Sequence, residues 1–93
     1  RAAAQRRAQL SERLRPFEQQ IAAQEKRLAE IEARLADIAS QQADPALYDD
    51  VPRATALARE CAALEREQAH CEECWLTAST ERDAVRQAFE NEA

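Results

Sequence analysis

His70, Cys71 and Cys74 stand as H-C-x-x-C, the part of this 93-residue sequence that comes nearest to metal or thiol chemistry. A redox C-x-x-C works from a helix N-terminus, where the local positive potential stabilises a thiolate. Here the pair falls in the middle of an apolar repeat that runs from Ala54 to Phe89. A structural zinc needs four ligands, and the remaining cysteine, Cys61, lies about 15 Å away on a helix rising about 1.5 Å per residue. Cys61 and Cys71 occupy seam positions and read as small buried apolar groups, while His70 points outward. No metal site is expected.

Catalysis by the remaining polar groups is excluded on similar grounds. The 18 carboxylates could supply acids or bases only inside a concave, water-excluding site, and a pair of helices offers none. With one histidine facing outward, no nucleophile and base can be assembled, so no catalytic residue is expected. The sequence has no glycine, hence no Gly-rich phosphate loop and no dinucleotide fingerprint. No cofactor site is expected within these residues.

Electrostatics carries more. Residues 1–15 hold Arg1, Arg6, Arg7, Arg13 and Arg15 against Glu12, a net of +4, while the remainder nets −9 and the whole −5. Arginines spaced along one helix can contact phosphates, adding salt-dependent affinity without base specificity. Arg6, Arg7, Arg13 and Arg15 are therefore candidate nucleic-acid contacts; the alternative is a solvated helix end.

The elements that place these residues follow from periodicity. Leu10, Leu14, Phe17, Ile21, Gln24, Leu28, Ile31, Leu35 and Ile38 alternate steps of four and three. Ala54, Leu57, Cys61, Leu64, Gln68, Cys71, Trp75, Ala78, Arg82, Val85 and Phe89 do the same. Both are heptad seams. The spacing predicts helices over about 2–39 and 53–90, joined by a tip over 40–52 in which Pro45 and Pro52 break the pattern. Asp50 or Asp49 caps the second helix, and Leu47 with Tyr48 folds back over the end of the seam. The fold class is all-α, an antiparallel coiled-coil hairpin forming a single domain. Pro16 either kinks the first helix or marks its first turn, leaving a short separate helix before it.

A constant position sum sets the pairing. Ile38 with Ala54, Leu35 with Leu57, Ile31 with Cys61 and Leu28 with Leu64 share one sum, which also brings Gln24 to Gln68 and Phe17 to Trp75. Matching the two polar interruptions favours an intramolecular hairpin over a parallel dimer. On one flank the register sets Arg34 against Glu60, Arg27 against Glu67 and Arg13 against Glu81. On the other it sets Glu18 against Glu72 and Glu25 against Glu65, an acidic edge that is either solvated or meets a basic partner. Leu47, Tyr48, Glu18, Glu25, Glu65 and Glu72 are thus candidate partner contacts. Trp75 is expected in the core and Leu76 outside it.

No apolar run reaches the ~20 residues that span a bilayer. The lack of methionine predicts a piece of a longer protein.

The L-A-D-I-A-S-Q-Q-A-D-P-A-L-Y-D tip, the C-E-E-C-W-L-T-A return and the R-P-F-E-Q-Q-I-A-A-Q-E-K-R-L segment resemble the C-terminal coiled-coil domain of ABC-F class ATP-binding cassette proteins. The YheS-like branch is most similar, with the Uup-like branch second. The resemblance implies a cytoplasmic translation factor with two upstream nucleotide-binding domains that hold ATP and magnesium. It implies a non-catalytic arm that contacts the ribosome or ribosomal RNA, or DNA as in the Uup branch; the fragment itself is expected to be monomeric. The net charge of −5 departs from a strongly basic arm. The other reading is a structural or protein-interaction coiled coil with no nucleic-acid role.

Overall fold

The computed structural model describes residues 1–92. Two helices, α1 (Ala2–Gln42) and α2 (Val51–Asn91), are joined by a short 3₁₀ turn over Pro45–Asp49. The chain is a helical hairpin, with no strand among the described residues. Alanine, leucine, glutamate, arginine and glutamine fill both helices, and these side chains lose little freedom on the helix. Pro16 lies inside α1, which continues on both sides of it. It therefore neither starts α1 nor separates a short helix; its cost is the single bond that residue 16 cannot donate to the carbonyl of Glu12.

The turn is built by its caps. Asp44 accepts from the Ala46 amide at 3.0 Å, with Pro45 supplying the preset first dihedral of the 3₁₀ turn. Asp50 then starts α2, its Oδ1 accepting from the Arg53 amide at 3.2 Å and its carbonyl from the Ala54 amide. Of the two candidate caps, Asp50 is the one used.

The chain clusters into two compact units. The turn unit is Lys26–Glu72 and the terminal unit is Arg1–Glu25 with Glu73–Ala93. In the turn unit Ile38, Leu47 and Leu57 form a buried cluster with Ala54, Cys61 and Leu64 packed against it. Ile31 and Ile38 are wholly buried. Its flank follows the expected register. Arg34 grips Glu60 through Nε and Nη2, the latter at 2.8 Å, and Arg27 grips Glu67 in the same way, with Nη2 at 2.6 Å. These fork-on-carboxylate pairs hold both carboxyls below the ordinary value of 4.5, through the hydrogen bonds first and the opposite charge after the opposing cost of desolvation.

The terminal unit departs from that register. Leu14, Ile21, Ala78 and Phe89 are buried as the heptads require, but Arg13 pairs with Glu92, not Glu81. Glu18 lies 3.9 Å from both Arg82 and Arg86, where the constant sum placed Glu72. Trp75, expected in the core, is 38% exposed, and its Nε1 donates to Glu25 at 3.4 Å. The neighbouring Cys74 is half-buried, and Leu76 faces out as expected.

Candidate functional site

The arginine-rich stretch lies along the first four turns of α1, and the last turns of α2 pack against it in the same unit. Phe89 anchors that contact. Its ring is 3% exposed and carries two guanidinium groups, with Arg6 at 4.3 Å and Arg13 at 4.9 Å from the ring centroid. The electron-rich faces of the ring attract cations, and burial strengthens the attraction. The Phe89 carbonyl, in the last turn of α2, accepts from the Glu92 amide at 3.2 Å and from Arg6 Nη2 at 2.8 Å. Arg13 Nη1 completes the clamp by donating to Glu92 Oε1 at 3.1 Å.

The four candidate arginines thus divide in two. Arg6 and Arg13 are engaged by α2, whereas Arg7 and Arg15 are exposed, with no ion pair or hydrogen bond to another described side chain. About 12 Å of helix axis separates these two at about 1.5 Å per residue, so both can meet phosphates of one strand. Sequence reasoning missed Phe89 and Glu92 as the receivers of Arg6 and Arg13. The available signal was the phase of Phe89, which stands on the α2 seam.

Folding also changes the local charge. The +4 of the first fifteen residues becomes part of a unit with seven arginines and eight acidic side chains, a net of −1. Arg7 and Arg15 remain as exposed cations of this unit without an ion pair to another described side chain.

The partner-contact candidates separate as well. Leu47 is buried in the turn core and offers no outer surface, whereas Tyr48 is 67% exposed, with its hydroxyl donating to the Gln42 carbonyl at 3.4 Å. Only Leu47 closes the seam, because the short turn points consecutive side chains in different directions. Glu18 and Glu25 are taken by Arg82, Arg86 and Trp75, and Glu65 accepts from the Cys61 thiol at 3.4 Å. Glu72 is exposed. The acidic edge is thus less self-repelling than its composition suggests.

The Cys61 thiol has little of the character that a reactive cysteine needs. Burial, and then the neighbouring Glu65, push the Cys61 thiol above its ordinary range. Cys71 is buried and Cys74 half-buried on the helix interior side, and His70 is exposed. Among the described residues no group of three or more His, Cys, Asp or Glu side chains could hold a metal ion. None of their helices is long and apolar enough to cross a membrane.

Residues 5–80 match the family model described as the ABC transporter C-terminal domain. The chain belongs to that family. The ABC transporter C-terminal domain match covers most of α1, the turn and nearly three-quarters of α2, and fits the hairpin as an accessory arm of an ABC-family protein. No curated protein and no solved structure matches the chain.

Proposed function

We propose that this ABC transporter C-terminal domain is the arm of an ABC-F class protein of the cytoplasm, and that it contacts nucleic acid, ribosomal RNA foremost, through the outer face of the α1 N-terminal turns. ATP and magnesium belong to other domains of that protein. The observation that carries the reading is the division of the arginines: Arg6 is held on the Phe89 ring and carbonyl and Arg13 on Glu92, while Arg7 and Arg15 stand exposed with no carboxylate partner among the described residues. An unpaired guanidinium pair about 12 Å apart fits phosphate oxygens, to which arginine binds through two donors at once. The net charge of the chain makes this a secondary contact that orients a larger assembly.

The test is binding of the chain to a ribosomal RNA fragment over a salt series. Arg7→Ala with Arg15→Ala should weaken binding and reduce the slope of log K against log salt by about 0.7–0.9 for each lost phosphate contact. Unchanged affinity and slope in that double variant would defeat the assignment.

A second reading rests on Tyr48, an aromatic side chain held by Gln42 yet 67% exposed. With Asp44, Asp49 and Asp50 beside it, the turn suits a basic protein surface better than RNA. Tyr48→Ser abolishing a protein contact while RNA binding persists would favour this reading.

A further inference from the structure

Beside Arg7 the terminal unit carries an open groove of about 360 Å³ lined by Ala3, Arg6, Arg7, Leu10, Phe89 and Glu90. Its lining is mainly apolar, with Ala3, Leu10 and Phe89 contributing, and the Arg6 guanidinium lies over the Phe89 ring. Phosphate contact alone has no use for apolar walls, because in a duplex the base faces are covered by their neighbours. An unpaired nucleotide presents what the groove lacks: a flat apolar face joined to a phosphate.

We propose that the groove binds one unpaired nucleotide, with the base seated among Ala3, Leu10 and the Arg6 guanidinium and its phosphate on Arg7. This rests on the nucleic-acid reading above and narrows it to single-stranded segments. Three features support the assignment. The guanidinium of Arg6 is a planar stacking surface, and it is already fixed on Phe89 at 4.3 Å and tied to the Phe89 carbonyl at 2.8 Å. The groove therefore needs little ordering when a base enters. Arg7, exposed and with no carboxylate partner among the described residues, lies next to Arg6 on the α1 side. Glu90 occupies the α2 rim, where it repels phosphate and so sets the orientation, backbone toward α1 and base toward Phe89.

The experiment uses the 93-residue chain and a mixed-sequence 16-nucleotide RNA, presented as a labelled single strand and as its duplex, read by fluorescence anisotropy. The single strand is expected to bind about tenfold more tightly, the scale of one base stacked on a protein plane. Ala3→Phe fills the groove from an exposed position without changing charge, so it should remove the preference and leave duplex binding within about twofold. Leu10→Asn, which is polar but uncharged, should do the same, with circular dichroism confirming that the helices persist. A 2-aminopurine placed in the strand should change its emission on binding to the unmodified chain and not to Ala3→Phe. Equal affinity for strand and duplex, with both lost in Arg7→Ala plus Arg15→Ala, would overturn the base site and leave the phosphate contact standing. Absence of binding to either RNA would overturn both.

Discussion

Arg13 donates to Glu92 at 3.1 Å across 79 positions of sequence, bypassing Glu81, the partner that a constant register assigns to it. Both side chains are about half exposed, so the pair is screened by water and modest in energy. Glu92→Gln should lower stability by about 0.2–1 kcal/mol, while Glu81→Gln leaves the thermal midpoint unchanged. Equal midpoints for the two variants would show that the Glu92 pairing does not persist in solution.

Phe89 joins two roles, apolar burial and a platform for two guanidinium groups. Phe89→Ala should cost about 3–5 kcal/mol through the cavity it leaves. Phe89→Leu keeps most of the burial and loses the ring, so its cost should be smaller, about 0.5–1 kcal/mol for each cation–π contact removed. Amide hydrogen exchange should locate the loss in residues 1–25 and 73–92 before residues 26–72, since the clamp lies wholly in the terminal unit.

Acid should act first on the turn unit. Arg34 and Arg27 hold Glu60 and Glu67 below 4.5, so the folded chain binds fewer protons than the unfolded chain as the pH falls toward that value. The stabilisation is complete above 4.5 and is lost progressively below it. The guanidinium partners are themselves raised by these hydrogen bonds and stay charged throughout. Denaturation midpoints measured from pH 6 to pH 3 should fall, and Glu60→Gln with Glu67→Gln should flatten that decline.

Ser79 is 8% exposed, and its Oγ is enclosed without a hydrogen-bond partner. Burying a hydroxyl that makes no bond is unfavourable, and alanine is the better helix former. Ser79→Ala is expected to raise stability by about 1 kcal/mol in a denaturant titration. A loss of stability would show that Oγ has an acceptor in solution.

The turn separates neighbours by role. Leu47→Ala should cost about 2–5 kcal/mol because Leu47 packs with Ile38 and Leu57, whereas Tyr48→Ser should cost little, since the ring lies outside that core. Asp44→Ala should remove about 0.5–2 kcal/mol with the loss of its cap to Ala46. Chemical denaturation of the three variants checks the order.

The sequence by itself determined the hairpin. Heptad spacing is a property of local backbone geometry, so Leu14, Ile21, Ile31, Ile38, Leu57, Cys71, Ala78 and Phe89 could be assigned to the interior without knowing what they touch. Near the turn the chain connection is short and the register tightly constrained, which is why Arg34 with Glu60 and Arg27 with Glu67 were legible. Farther from the turn, only the tertiary structure decided the partners. Long arginine side chains reach several carboxylates at similar cost, and the packing of Arg6 and Arg13 on Phe89 selects among them. That selection commits Arg6 and Arg13 to α2, leaves Arg7 and Arg15 on the outside, and shapes the apolar groove between Leu10 and Phe89. Periodicity specifies which face a residue takes; the contacts of flexible charged side chains depend on the neighbours that folding brings within reach.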